Sequence, residues 1–254
     1  MMGEQAGLTD LLLFACLAVT GVLLTGISKS GFAGGAGVVA VPMLALVMPA
    51  SQAAALMLPI LILMDGRTVY LYRRSVRWSE LKTLLPAAIA GIALGGLLMG
   101  WLSDAGLSLL LGAVSLIFAS WQRMAPRLMA FRGSAWIWGG LSGITSTLIH
   151  AGGPPLNIYL LGRQLPKPLW LATAAVFFAV MNLIKIVPYT LVGAWQGVPW
   201  LLMLALIPFA YLGVGLGYRI QHRLSEAAFI SLCRLLLGTT GLLLMAKPVW
   251  SGLM

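Results

Sequence analysis

Six ionisable side chains stand inside apolar stretches of this sequence: Lys29, Asp65, Arg67, His150, Lys185 and Arg234. Charge at membrane depth is costly, so such residues mark ion or substrate sites by default. Lys29 lies between Ser28 and Ser30, and His150 follows Thr145, Ser146 and Thr147. Ammonium, imidazole and hydroxyl donors in such clusters suit the oxygens of a sulfonate or carboxylate. Asn157 and Asn182 add amides, while Gly34, Gly35, Gly152 and Gly153 open the backbone where helix N-termini can face an anion. If Lys29, Lys185 and Asp65 face one cavity its charge is +1, and protonated His150 makes it +2. Asp65 and His150 are also the candidate coupling groups or proton carriers. The plainer alternatives are a fixed ion pair of Asp65 with Lys29, Arg67 or Lys185, and a His150 that is simply hydrogen-bonded. Arg67 and Arg234 stand near enough to the ends of their runs to snorkel to headgroups, a reading that Lys29 shares. His222, between Arg219 and Arg223, reads as solvated.

The rest of the inventory argues against an enzyme. There is no His-x-x-x-His, no Cys–His pair, no Gly-x-Ser-x-Gly and no second intramembrane carboxylate beside Asp65. Cys16 and Cys233 are far apart and have no metal-ligand spacing. No phosphate-binding loop of the Gly-x-x-x-x-Gly-Lys-[Ser/Thr] type occurs, so neither a metal, a cofactor nor ATP is expected.

What positions these residues must be membrane helices. Of the 254 residues 60% are hydrophobic and 9% charged, where a soluble domain carries roughly 25% charged residues. A helix needs about 20 apolar residues to cross a bilayer. Candidate runs cover 8–27, 31–47, 51–72, 84–101, 107–121, 135–149, 153–161, 169–192, 200–218 and 227–246. Seven of these are long enough to cross or nearly so. The three at 31–47, 135–149 and 153–161 are short or rich in Gly and Pro. The first run carries Glu4 and Asp10 on its flank with no basic residue, and is read as structure, not as a cleaved signal.

The net charge of +10 does not indicate nucleic acid, because the basic residues sit in short loops between apolar runs. Eleven fall in one set of loops: Arg73, Arg74, Arg77, Lys82, Arg123, Arg127, Arg132, Arg163, Lys167, Arg219 and Arg223. The opposite set holds Lys247 alone. This asymmetry puts the basic loops in the cytoplasm and both termini on the outer face. It closes only if 8–47 starts and ends outside while 135–161 starts and ends inside. Trp78, Trp101, Trp121, Trp136, Trp195 and Trp200 fall near run ends, as an interfacial belt requires.

A shift of 117 residues superposes the chain on itself without a gap. Gly26, Ile27, Ser28, Lys29 and Ser30 fall on Gly143, Ile144, Thr145, Ser146 and Thr147; Gly35 and Ala36 fall on Gly152 and Gly153. Met64 and Asp65 fall on Met181 and Asn182, and Tyr72 falls on Tyr189. Since the halves begin on opposite sides, the expected architecture is an all-α polytopic membrane protein of two inverted-topology repeats. Each repeat has a Gly-rich hairpin of broken or re-entrant helices followed by about three transmembrane helices. The first repeat spans 1–122, a basic cytoplasmic linker 123–134, and the second repeat 135–254. Gly31, Gly34, Gly35 and Gly37, with Gly152, Gly153, Pro154 and Pro155, interrupt helices at equivalent positions, where freed backbone must face protein or a wet cavity. Tight helix–helix contact is the alternative use of the glycines.

On the segments 26–42 (GISKSGFAGGAGVVAVP) and 140–155 (GLSGITSTLIHAGGPP), the chain resembles the sulfite exporter TauE/SafE family of membrane permeases over nearly its whole length. The resemblance implies two related halves, each opening with a Gly-rich hairpin. It also implies movement of sulfite, sulfonates or related sulfur-containing anions. His150 and the run Pro154, Pro155, Leu156, Asn157 depart from the pattern. The expected function is a secondary transporter of a small sulfur-containing or carboxylate anion in the cell (inner, cytoplasmic) membrane. It would work by alternating access at a midplane site, with proton coupling as an option and a passive anion channel as the alternative. Its partners would be that anion and the lipid bilayer, not nucleic acid, with a homodimer left open.

Overall fold

The computed structural model describes residues 8–34, 39–120, 133–221, 223 and 226–251. They form helices in the order α1 (Leu8–Gly31), α2 (Ala40–Ala45), α3 (Ala50–Tyr72), α4 (Trp78–Met99), α5 (Asp104–Ser120), α6 (Ser134–Ile149), α7 (Gly153–Gly162), α8 (Lys167–Leu191), α9 (Trp200–Ile220) and α10 (Glu226–Ser251). Among the described residues there is no strand. Among the described residues, five helices are long and apolar enough to cross a membrane: α1 from Leu12, α3, α4, α8 and α9. At 17 residues, α5 is about 25 Å long and a little short of a full span.

Start signals are prolines more often than capping side chains. Pro49, Pro166 and Pro199 stand immediately before α3, α8 and α9. Proline has no N–H, and the first turn of a helix has no intrahelical partner to give one. Pro86 and Pro208 lie inside α4 and α9, each as the ninth residue of its helix.

Large apolar side chains point outward on several helices, among them Leu97 on α4, Val187 on α8, Leu201 on α9 and Leu242 on α10. An apolar exterior on this scale needs lipid around it. With the charge-poor helices, it makes the chain an integral membrane protein. Trp78, Trp101, Trp136 and Trp200 are exposed at helix ends, and Trp195 stacks on Trp200. Trp121 and most of the 123–134 linker lie outside the described residues.

The helices pair in a regular scheme. α1 packs on α9 and α6 on α4; α3 packs on both α8 and α9, and α8 on both α3 and α4; α5 packs on α10. The α1–α9 and α6–α4 crossings are held close by glycine. A Cβ on Gly26 would lie 2.9 Å from the Val214 nitrogen, and one on Gly143 only 2.2 Å from the Ala88 oxygen. For these two aligned glycines, tight contact is therefore a sufficient reason. Gly143→Ala should separate α6 from α4 and cost about 2 kcal/mol by overpacking, read as a lower thermal midpoint in detergent. An unchanged midpoint would mean that the crossing is not tight.

α1 and α6 end on similar backbone breaks. α1 ends at Gly31 and the chain turns through Ala33 (φ 51°) and Gly34 (φ 66°), with the Gly34 N–H donating to the Ser28 carbonyl at 3.0 Å. α6 ends at Ile149, His150 takes φ 55°, and the Ala151 N–H donates to the Thr145 carbonyl at 3.1 Å. A left-handed residue other than glycine costs about 1 kcal/mol, and such residues gather where function needs a fixed geometry. The expected run at 31–47 contains only the six-residue α2 among its described residues, and Gly35 and Gly37 lie outside them.

Candidate anion site

Four helices bring their polar residues to one place. Lys29 comes from the last turn of α1, ahead of the break. Asp65 comes from α3, Asn182 and Lys185 from α8, and Ser146 and His150 from the end of α6. These helices face lipid or apolar neighbours elsewhere, so their polar groups are satisfied by meeting one another.

Lys29 Nζ makes an ion pair with Asp65 Oδ1, which settles the choice among Lys29, Arg67 and Lys185 as its partner. Asp65 Oδ2 accepts a hydrogen bond from Asn182 Nδ2. Asp65 and Asn182 are the residues that the 117-residue shift superposes, so equivalent positions touch. Lys29 Nζ also lies 5.2 Å from the centre of the Phe178 ring, a cation–π distance.

Lys185 anchors the second cluster and has no solvent exposure. Its Nζ donates to the Ser146 carbonyl and to Ser146 Oγ, both at 3.0 Å, and to His150 Nδ1 at 2.7 Å. All three ammonium hydrogens are thus engaged. Because His150 Nδ1 accepts, the ring hydrogen is assigned to Nε2, which donates to the Ala54 carbonyl of α3 at 2.9 Å. The Tyr189 hydroxyl donates to the Thr147 carbonyl at 2.8 Å and stands 3.3 Å from His150 Nε2. Its aligned counterpart Tyr72 donates to the Ser30 carbonyl at 2.6 Å. Lys29–Asp65 and Arg163–Glu80 are ion pairs, and among the described residues no carboxylate lies at ion-pair distance from Lys185.

Between the two clusters is a cavity of about 30 Å³, room for one or two waters. Of the residues expected at a binding site, Lys29, Gly34, Ser146, His150, Gly153 and Asn182 line it, with Lys185 directly behind Ser146 and His150. Ser28, Ser30, Thr145, Thr147, Gly152 and Asn157 do not. The Ser30 hydroxyl instead donates to the Val214 carbonyl at 2.8 Å, tying α1 to α9. Thr147 donates back to Gly143 within α6 at 2.9 Å, and Thr145 to the Leu141 and Ala151 carbonyls at 2.7 and 3.0 Å. The Ser28 carbonyl receives the helix-ending N–H groups. Gly152 packs on Ser142, and Asn157 Oδ1 accepts from Trp170 Nε1 at 3.0 Å. Gly35 and His222 lie outside the described residues. The helix N-terminus expected to face the anion is also poorer than it looked. α7 begins Gly153, Pro154, Pro155, and two of its first three residues have no N–H to offer.

Arg67 is exposed and sits 5.4 Å over the Tyr211 ring, while Arg234 Nε donates to the Ala119 carbonyl at 2.6 Å. Neither lines the cavity. Three residues that do, Thr25, Leu61 and Phe178, carried no signal in the sequence to mark them. Tyr189, beside His150, was marked through its alignment with Tyr72.

The family model described as sulfite exporter TauE/SafE matches residues 17–245. The chain belongs to this family. Neither comparison with curated proteins nor with solved structures yields a match. TauE/SafE membership makes the chain a membrane transport protein of the sulfite exporter kind. The matched stretch includes both helix breaks and the site residues of all four helices, from Lys29 to Lys185.

Proposed function

We propose that this TauE/SafE protein is a secondary transporter that carries a small sulfur-containing or carboxylate anion across the cell (inner) membrane. The anion binds between Lys29 and Lys185, and two inverted repeats rock about that point to expose it to either side in turn. The observation that carries the reading is Lys185: a fully buried lysine with no carboxylate at ion-pair distance, one residue away from a cavity that a second lysine lines. A cation held this way has a use if its counter-charge is the solute.

Several features support the two-repeat part. α1–α9 matches α6–α4, α3–α9 matches α8–α4, and Tyr72 and Tyr189 make the same bond 42 residues back in the chain. Contact between Asp65 and Asn182 is what a pseudo-two-fold axis through that point would produce. The loop charges support an orientation with both termini outside. Asp65 and His150 are the groups whose protonation would couple transport to a proton gradient.

Purified protein in liposomes loaded with unlabelled sulfite or a small sulfonate should accumulate the labelled anion transiently against its gradient. Such counterflow requires a carrier whose site faces one side at a time. Flux that does not saturate and shows no counterflow would make the protein a passive channel and overturn the alternating-access reading.

A further inference from the structure

The charges around the cavity nearly cancel. Lys29 is matched by Asp65, whose second oxygen is taken by Asn182. With Lys185 protonated and donating to Nδ1, His150 is assigned as neutral, its one ring hydrogen on Nε2. Arg67, two residues beyond Asp65, is exposed and turned toward Tyr211 on α9. One positive charge, that of Lys185, is left over. A sulfonate or sulfate is larger than the one or two waters this cavity holds, so binding widens the cavity and displaces them, and the anion's charge is compensated by these groups and not by solvent. A charge left uncompensated in such surroundings is strongly unfavourable.

From this balance we infer that the site selects singly charged over doubly charged anions of the same shape, and that Asp65 sets the limit by consuming the charge of Lys29. The inference rests on the anion-transport reading and narrows its substrate class to monoanions, such as a sulfonate or a hydrogen-bearing oxyanion. Asp65 acts here as a specificity determinant: it touches Lys29 and Asn182, and it fixes how much negative charge the pocket accepts.

Three compounds built on a tetrahedral sulfur separate the cases: dimethyl sulfone (neutral), methanesulfonate (one charge) and sulfate (two). Each is titrated against purified wild-type protein at about pH 8, where an ordinary imidazole is neutral, with thermal stabilisation and calorimetry as readouts. Methanesulfonate should bind at least about tenfold more tightly than either of the others. Asp65→Asn should reverse the order of the two anions, because Lys29 is then unmatched, and sulfate should become the better stabiliser of the variant. Equal or tighter binding of sulfate by the wild type would overturn the inference while leaving an anion site in place. Binding of none of the three probes, with sulfite and small carboxylates equally inert, would instead overturn the anion reading itself. If Asp65→Asn does not fold, the wild-type order alone decides.

Discussion

Lys185→Met should abolish anion counterflow, with transport falling by at least about a hundredfold, while the folded protein becomes no less stable. The two halves of that expectation have separate causes. Lys185 supplies the positive charge beside the cavity that no carboxylate at ion-pair distance offsets, and a bound anion loses its counter-charge when it goes. Removing one partner of a desolvated charge pair costs about 2–5 kcal/mol, which sets the size of the effect. Methionine keeps most of the length of the stem and fills the same space between Ser146 and His150. A buried ammonium with no carboxylate beside it carries a desolvation cost that no ion pair repays, and an apolar side chain of similar volume removes that cost. The thermal midpoint of Lys185→Met in the absence of anion should therefore equal or exceed that of the wild type, offset only by the lost bonds to Ser146 and His150. Normal counterflow by folded Lys185→Met protein would remove Lys185 from the site. A collapse in stability would mean that the ammonium serves structure, as a pin for the end of α6.

The polar centre of the site was legible in the sequence because ionisable residues in apolar runs have few alternatives. Lys29, Asp65, His150 and Lys185 announced themselves by type, and Asn182 by its register with Asp65. The hydroxyls were harder. Ser30, Thr145 and Thr147 look like ligands beside Lys29 and His150, yet all three donate to backbone carbonyls. Serine and threonine in a helix commonly satisfy themselves on the preceding turn. Once α6 is known to run to Ile149, two of these three follow. The walls were not legible at all. Phe178 and Leu61 read as ordinary core residues, because which face of a buried helix meets a cavity is decided by neighbours remote in the sequence. Glu80 was missed for a related reason. It sits near the start of α4, where a solvated loop charge is expected, and is buried because Tyr159 and Arg163 come to it from the other half of the chain, at 2.6 and 3.0 Å.

Lys29 calls for a different experiment from Lys185, because its removal strands Asp65. The sequence alone suggests that Lys29→Ala should lose transport and remain well folded, and the ion pair with Asp65 argues against the second part. Breaking a buried pair from one side leaves an uncompensated charge and costs about 3–5 kcal/mol, whereas replacing both partners can be close to neutral. Lys29→Met should therefore express poorly and melt early, and the double variant Lys29→Met with Asp65→Asn should recover most of the lost stability. The amide that replaces the carboxylate in that variant can still bond Asn182, so the α3–α8 contact survives. Function should separate the two in the same direction. The single variant leaves Lys185 and Asp65, each one residue behind the cavity wall, with no net charge between them to attract an anion. The double variant restores a net charge of one through Lys185, and should bind a monoanion measurably where the single variant does not. Equal stability of the single and double variants would show that the pair contributes nothing as a pair. A stable double variant that no longer binds any anion would place Lys29 in direct contact with the solute, with a role that charge balance alone cannot replace.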